Sequence, residues 1–181
     1  NLAMIGALDT VAHCLSEGEI IGYPTEGVWG LGCDPRNQLA VTRLLKLKKR
    51  SQDKGLILVG SKISHLEQYA NLEKYKEACE KKWPGPHTWI FPTNTSPKWI
   101  TGGKQSVALR LSNHKTIIRI CEAFSGAIVS TSANIEGELP AKTIDEVKEI
   151  FPDILLVKGQ IGGLKSSTPI QDVVSKKWLR N

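Results

Sequence analysis

Short apolar segments of strand length alternate with amphipathic segments along most of this chain, and this alternation limits the fold more than any other feature. Strands are predicted at residues 19–23 (stopped by Pro24), 56–59, 88–92, 106–111, 127–130, 154–157 and 170–174. Helices are predicted at residues 3–16, 64–69, 72–82, 114–124 and 144–150, and after Asn37 in a segment that carries Val41, Leu44, Leu45 and Leu47. Asn37 and Thr143 are suitable N-caps, and Glu146 stands at the reciprocal capping-box position. The pattern predicts one α/β domain over residues 1–181, with a twisted sheet of mixed parallel and antiparallel strands flanked by helices.

Charge and cysteine content narrow the classes of function. A formal net charge of +6 attracts polyanions such as nucleotides or RNA. No apolar run approaches the roughly 18–20 residues that cross a bilayer, and the first residues lack the basic and apolar regions of a secretion signal. The four cysteines form no CxxC pair, which argues against a zinc site and is typical of reduced thiols. We therefore expect a cytoplasmic protein with no membrane segment and no metal-binding side chains.

A glycine-rich segment, residues 23–32, follows the first buried strand. Gly27, Gly30 and Gly32 fall within six residues of one another, and glycine permits close approach of the backbone to a ligand. The spacing matches neither the Walker phosphate loop nor the dinucleotide-binding fingerprint. The segment is either part of a ligand site or a tight turn beside the core.

A run of cations ends the second helix. Lys46, Lys48, Lys49, Arg50 and Lys54 lie within nine residues. Cations at a helix C-terminus are stabilised by the helix dipole, so the run could be a solvated cap. It could equally clamp triphosphate oxygens, with the arginine offering a bidentate fork and each lysine a point charge.

Polar residues also mark two predicted strands. Arg110 interrupts the apolar strand 106–111 and requires an anionic partner, either a structural carboxylate or a substrate carboxylate. Ser130, Thr131, Ser132 and Asn134 follow the strand 127–130, and ligands of open α/β sheets bind at strand ends. Hydroxyl and amide groups can bind a carboxylate, an amine or phosphate oxygens, although a cluster of hydroxyl-stabilised turns is the alternative.

These segments together resemble a known family. PTEGVWGLGCDP, LKLKKRSQDKGLILV, WPGPHTWIFP, SVALRLSNH and STSANIEGELPAKT occur in the order found in YrdC-like threonylcarbamoyl-AMP synthases of the short bacterial form. The resemblance covers about residues 7–174. It implies a sheet around a large basic concave cavity, and synthesis of threonylcarbamoyl-AMP and pyrophosphate from L-threonine, bicarbonate and ATP with Mg²⁺. A separate threonylcarbamoyl transferase complex would use the product to modify tRNA.

The resemblance also implies two groups of site residues. The ATP-binding residues are Lys48, Arg50, Lys54, Ser132, Asn134 and Pro140, of which Lys48 and Arg50 are the candidate catalytic residues. The L-threonine-binding residues are Thr25, Gly27, Arg110, Ser130 and Thr168. The chain departs from the family at Gly27, where many relatives have threonine, at Ser51, where proline is common, and at Val59, where some long relatives have histidine. Residues 168–172 are an unusual version of the C-terminal strand motif.

Two other functions are compatible with the sequence. A double-stranded RNA-binding or ribosome-assembly module could use a basic concavity, because shape-based RNA binding needs no sequence motif. A carbamoyltransferase-type domain with a different carbamoyl acceptor is the second. Glycine, serine and asparagine at strand ends favour small-molecule chemistry, and weak RNA binding is compatible with the enzyme.

Overall fold

A computed structural model describes residues 4–5 and 8–180, and the strands in this part of the chain form one mixed sheet. They are β1 (Met4–Ile5), β2 (Ile21–Pro24), β3 (Trp29–Gly32), β4 (Ile57–Gly60), β5 (Thr88–Pro92), β6 (Ser106–Leu111), β7 (Ile128–Ser132), β8 (Leu155–Val157), β9 (Ile170–Asp172) and β10 (Trp178–Arg180). Their order across the sheet is β1-β8-β2-β3-β7-β4-β6-β5-β9-β10. Parallel pairs such as β2/β8 and β4/β6 lie beside antiparallel pairs such as β2/β3 and β4/β7. The prediction of a mixed sheet is confirmed.

Helices cover both faces of the sheet. They are α1 (Leu8–Ser16), α2 (Gln38–Lys48), α3 (Lys76–Lys82), α4 (Lys98–Thr101), α5 (Lys115–Phe124) and α6 (Ile144–Ile150). Because successive strand residues point to opposite faces, Val59 and Ile128 join the apolar cluster beneath α1 and α5. Their neighbours Leu58 and Val129 join the larger cluster on the other face, together with Leu44 of α2. The sheet is therefore buried on both sides.

The predicted caps form, with one change of partner. The Asn37 side chain accepts a hydrogen bond from Ala40 N at 3.1 Å, and Thr143 Oγ1 accepts one from Glu146 N at 3.1 Å. The carboxylate of Glu146 accepts from Lys142 N at 2.7 Å, one residue before the cap position that the capping box predicts. The helix starts were thus predictable from local sequence, whereas this reciprocal contact shifted by one residue.

Several predicted boundaries are wrong. Within the helix predicted at residues 3–16, Met4–Ile5 instead forms a strand paired with β8, and the helix is described from Leu8; residues 3, 6 and 7 lie outside the described residues. Residues 64–69 do not form a full helix: a 3₁₀ turn at Ile63–His65 is followed by turns, with hydrogen bonds from Glu67 N to Ile63 O at 3.1 Å and from Tyr69 N to Leu66 O at 3.0 Å. The glycine-rich segment contains strand β3, and strand β10 was not predicted.

Within the described ranges, no helix combines the length and the apolar character needed to cross a membrane. All four cysteines are free thiols; Cys33, Cys79 and Cys121 are buried and Cys14 is half-buried. Burial raises the pKa of the Cys33 and Cys121 thiols to about 12 in each case, so both thiols stay protonated and unreactive at neutral pH.

Candidate active site

A cavity of about 420 Å³ is lined by strands β3 to β7, β9 and β10, by the segment that follows α2 and by the segment that precedes β9. Its walls include Trp29 of β3, Ala108 of β6 and Ser130 of β7. Among the described residues that line it, Arg50, Lys54, Lys104, Arg110 and Arg180 are cationic, and Asp172 is the carboxylate. This excess of cations in a concave space suits an anionic ligand of small-molecule size.

The cation run after α2 delivers two side chains to the cavity. The helix ends in a left-handed turn at Lys49, with a φ of 54°, and the chain then turns so that Arg50 and Lys54 line the wall. One guanidinium nitrogen of Arg50 donates to Gly55 O at 3.0 Å, while its buried Nε has no hydrogen-bond partner within the described part of the chain. Arg50 and Lys54 therefore lie together, as the resemblance implied.

A single carboxylate, Glu136, contacts both of these cations. Arg50 Nη1 donates to its two oxygens at 3.1 and 3.2 Å, and Lys54 Nζ donates to Oε1 at 2.6 Å. The hydrogen bond from Lys54, and then the charge of Arg50, lower the pKa of the Glu136 carboxyl in spite of its partial desolvation. Glu136 was not predicted as a site residue, although it lies within the motif STSANIEGELPAKT.

Lys48 lies behind the cavity wall and is 1% exposed. Its ammonium donates to the carbonyl oxygen of Ser132, and to the carbonyl and Oδ1 oxygens of Asn134 at 3.1 Å each. Burial, and then repulsion from Arg50, lower the pKa of Lys48 to about 8. All three ammonium protons are used by protein acceptors, so the geometry gives Lys48 partners other than the phosphates that the resemblance implied.

The loop after β7 is organised around Asn134. Its Oδ1 accepts from Ser132 Oγ at 2.6 Å, and its Nδ2 donates to Ile135 O and Glu138 O at 3.0 and 2.9 Å. Ser132 lines the cavity. Asn134, which is buried, and Pro140, which is half-buried, do not line it. Of these three predicted ATP contacts, only Ser132 is brought to the cavity surface in this structure.

The other end of the cavity contains a buried ion pair. In the sheet, Arg110 lies beside Val59 of β4, four residues beyond Gly55, which Arg50 contacts. Arg110, 3% exposed, donates to Glu26 Oε2, which also accepts from Ser112 Oγ at 2.9 Å. Desolvation raises the pKa of Glu26, but Arg110 and the hydrogen bonds outweigh it and the pKa is lowered. The sequence left open whether Arg110 pairs with a structural or a substrate carboxylate. Glu26 is a structural carboxylate that pairs with it. Because Arg110 also lines the cavity, and a guanidinium has five N–H donors, it can bind a second anion.

Hydroxyl groups surround this end. Thr25, Ser130 and Thr168 all line the cavity, as does Ser167. Thr25 Oγ1 donates to Val28 O at 2.6 Å, and the hydroxyls of Thr168 and Thr88 are 2.9 Å apart. Three of the five predicted threonine contacts are thus assembled beside Arg110.

Gly27 is placed differently, beneath a segment that we call the strap, residues 159–168. The strap is held by hydrogen bonds from Gly162 N to Thr25 O at 2.9 Å and from Leu164 N to Glu26 O at 3.0 Å. The first part of the strap is held by a contact of 2.8 Å between His114 Nε2 and Gln160 O. Gly27 does not line the cavity; it is the point where the strap crosses the glycine-rich segment.

Arg180 is a cavity residue that was not predicted. The residue is exposed as a whole, but its guanidinium lies against the cavity wall and donates to Thr168 O at 2.8 Å. Burial, followed by repulsion from Arg110 and Arg50, lowers the pKa of Arg180. Its signal in the sequence is weaker than that of Arg110: Arg110 lies within an apolar strand, whereas Arg180 only follows two apolar residues, Trp178 and Leu179.

The fold and the cavity define an α/β protein with a concave space suited to a small anionic ligand, between cations from the segment after α2, from β6 and from β10. The family model Sua5/YciO/YrdC, described as "Telomere recombination", matches residues 13–181. The chain belongs to this family.

Relatives within this family share the name of one enzyme activity. A threonylcarbamoyl-AMP synthase of Halorhodospira halophila is 45% identical over 171 residues, covering 92% of this chain and 90% of that protein. One from Xanthomonas campestris pv. campestris is 41% identical over 184 residues, with 96% and 97% covered. The resemblance drawn from the motifs is confirmed. These relatives identify the chain as an enzyme and do not favour an RNA-binding module.

Solved structures show the same fold. The structure of P. abyssi Sua5 complexed with L-threonine superposes with a TM-score of 0.84 at 27% identity and covers 94% of this chain. The chain spans about half of that protein, 53% of its length. E. coli YciO, at 20% identity and a TM-score of 0.79, supports the fold alone.

Proposed function

We propose that this chain is a nucleotidyltransferase that forms L-threonylcarbamoyl-adenylate and pyrophosphate from L-threonine, bicarbonate and ATP. The observation that carries the proposal is the presence of two separate anion-binding ends in one cavity. Arg50 and Lys54 stand at one end, and Arg110 stands at the other among hydroxyl groups. The first end suits the phosphates of ATP, and the second suits the carboxylate and hydroxyl of threonine. The names of the curated relatives support the same assignment.

The difficult step of this reaction joins two anions. The threonine amine forms a bond to the carbon of bicarbonate with loss of water, which gives a carbamate. A carbamate oxygen then attacks the α-phosphorus of ATP, and the bond to the bridging oxygen breaks to release pyrophosphate. Effective molarities of about 10⁵–10⁸ M for well-oriented groups show how much positioning can contribute. We assign this positioning to the cavity, with no covalent intermediate on the enzyme.

Arg50 has the main electrostatic role in this scheme. It offsets negative charge that develops on the phosphates, and Lys54 assists from the same side. Lys48 acts from behind the wall by holding Ser132 and Asn134 in place. In the described residues there is no cluster of three or more metal-ligating side chains. The proposal therefore treats Mg²⁺ as bound by the triphosphate, where it would neutralise phosphate charge.

The product is an activated adenylate, which requires an acceptor enzyme. We propose that a threonylcarbamoyl transferase complex uses it to modify tRNA, and that both proteins work in the cytoplasm. The cationic cavity is also compatible with weak RNA binding, which would fall steeply as salt rises.

The test is ATP-dependent release of pyrophosphate with bicarbonate, measured with L-threonine, with L-serine and without an amino acid. The expected result is release that requires threonine, together with an adenylate detected by mass spectrometry. Arg50→Ala should lower turnover by about 10²–10³-fold, by analogy with a deleted oxyanion donor. Lys46→Ala, which removes an exposed cation in the last turn of α2, serves as the control. Threonine-independent release, or salt-sensitive RNA binding without any release, would reject the proposal.

A further inference from the structure

Glu136 occupies an unusual position for a carboxylate in a cationic site. Its backbone N donates to Lys48 O at 2.8 Å, which pins the residue to the end of α2. From there its side chain reaches both Arg50 and Lys54, as described above. The two cations that the proposed function assigns to phosphate are therefore already bridged by an anion that belongs to the protein.

Glu136 and a polyphosphate compete for the same donors, and the two anions repel each other when both lie beside Arg50 and Lys54. Arg50 and Lys54 line the cavity, and their Nη1 and Nζ donors already form charge-assisted hydrogen bonds with Glu136. A triphosphate or pyrophosphate carries more negative charge than one carboxylate and has more acceptor oxygens. It should displace the Glu136 side chain from these cations when it binds.

The strength of the pairing favours exchange over permanent anchoring. The side chains of Glu136 and Arg50 are 27% and 22% exposed, and that of Lys54 is 52% exposed. Ion pairs with this access to solvent are weak because water and salt screen them. The buried Arg110–Glu26 pair at the other end, with side chains 4% and 10% exposed, lacks this access. Glu136 can therefore leave its partners at low cost, whereas Glu26 cannot.

We propose that Glu136 is an exchangeable internal anion of the phosphate subsite. It holds Arg50 and Lys54 together, gives way to the phosphates of ATP, and returns to both cations as pyrophosphate leaves. The residue thereby sets the affinity for polyphosphate and assists release of the product. This inference rests on the proposed function for the identity of the polyphosphate, and no covalent step is involved.

The direct consequence concerns Glu136→Gln. Glutamine has the same shape and keeps the backbone hydrogen bond to Lys48, but it removes the competing charge. Two partly exposed ion pairs then no longer oppose the ligand, which corresponds to an affinity for pyrophosphate roughly 2- to 30-fold higher. The KM for ATP should fall in the same direction, and pyrophosphate should become a stronger product inhibitor.

Glu138→Gln is the matched control. Glu138 lies two residues further along the same loop, is exposed, and its side chain forms no ion pair within the described part of the chain. The substitution changes the net charge by the same amount. Any gain in affinity that arises from overall charge alone would appear equally in both variants.

The experiment is calorimetric titration of the wild-type protein and both variants with inorganic pyrophosphate and with Mg-ATP, at one fixed ionic strength. Thermal unfolding of each protein checks that the fold is kept. Tighter binding of both ligands by Glu136→Gln, with Glu138→Gln close to wild type, supports the proposal. Equal or weaker binding by Glu136→Gln overturns it, because Glu136 would then be inert or would orient the cations for the ligand.

The design separates this inference from the proposed function. If the wild-type protein binds neither pyrophosphate nor ATP, both fail together. If it binds them and releases pyrophosphate in a threonine-dependent reaction, while the three proteins have the same affinities, only the role of Glu136 is lost. A gain of similar size in the two variants also overturns that role, since it shows an effect of net charge.

Discussion

The strap leaves no room for a side chain at position 27, so Gly27→Ala tests how the amino-acid end of the cavity is closed. A Cβ at Gly27 would lie 1.9 Å from Ser166 O and 2.8 Å from the carbonyl carbon of the same residue. Both are backbone atoms, which cannot turn aside as a flexible side chain can. Gly27 does not have a positive φ, so alanine fits the local backbone and the expected effect is purely steric.

The size of the effect follows from what holds the strap. Ser166 O must retreat from 1.9 Å to at least 3.4 Å to reach ordinary contact. This movement works against the hydrogen bonds from Gly162 N to Thr25 O and from Leu164 N to Glu26 O. Overpacking the site and loosening these bonds should lower the free energy of unfolding by about 1–3 kcal/mol. For a chain of this size the melting temperature should fall by roughly 2–12 °C.

The same displacement should affect substrates unequally. Ser167 and Thr168 belong to the strap and line the cavity beside Arg110, whereas Arg50 and Lys54 are held by other segments. Gly27→Ala should therefore raise the KM for threonine by several-fold and change the KM for ATP little. The assay is pyrophosphate release with each substrate varied in turn, alongside thermal unfolding.

Gly163→Ala provides the control for this experiment. Gly163 also lies in the strap, has no positive φ, and a Cβ there would meet nothing within 4 Å. Its melting temperature and kinetic constants should stay near wild type. Wild-type stability and threonine KM in Gly27→Ala, or equal losses in both variants, would show that the strap does not pack on Gly27 as described.

Three further predictions concern charged side chains. Lys48→Met should lower the free energy of unfolding by about 1–3 kcal/mol in urea denaturation, because three acceptor oxygens each lose the hydrogen bond from the Lys48 ammonium. A loss of equal size in the exposed control Lys46→Met would contradict this. Glu26→Ala should cost about 3–5 kcal/mol in the same assay, since it leaves Arg110 buried without a counter-ion, and unchanged stability would refute the pairing. The lowered pKa of Glu136 means that its stabilisation is present above the ordinary glutamate pKa and is lost as the pH falls through the folded-state value. The difference in unfolding free energy between wild type and Glu136→Gln should therefore be at most about 1 kcal/mol at pH 7, after allowance for solvent screening, and should vanish in acid; a difference that persists in acid would contradict this.

Local sequence was sufficient to predict strand bounds and helix starts where short-range interactions determine them. Strands β5 and β6 have the predicted bounds, because each is a bounded apolar run. Asn37 and Thr143 cap the predicted helices through their own side chains. One exception is β3, whose glycines lack strand propensity. A Cβ at Gly32 would lie 2.3 Å from Val129 O, so close packing between strands selects glycine there and overrides propensity.

The sequence indicated which residues belong to the candidate site better than it indicated which groups those residues contact. An arginine in an apolar strand indicates an anionic partner, but Arg110 and Glu26 are 84 residues apart and meet only through the order of strands in the sheet. In the sequence Lys48 is likewise one cation of a run. Its ammonium can be buried because it donates to carbonyl groups 84 and 86 residues further along the chain. Such long-range pairings have no local signal, and they decide whether a charge faces the cavity or supports its wall.

The two ends of the cavity use buried charge in opposite ways, and the difference matches the proposed ligands. Lys48 is satisfied by carbonyl and amide oxygens, which carry no net charge, so its positive charge adds to that of Arg50 and Lys54. The subsite for a highly charged triphosphate thereby stays cationic even while Glu136 bridges its outer groups. At the other end Glu26 cancels most of the charge of Arg110 while leaving donors of the guanidinium for a second anion. This end keeps the charge of Arg180, which donates to Thr168 O, but it is less cationic than the phosphate end because Glu26 pairs with Arg110. A subsite of this kind suits an amino acid, which carries both charges. The arrangement therefore orients the two substrates by charge before shape selects between them.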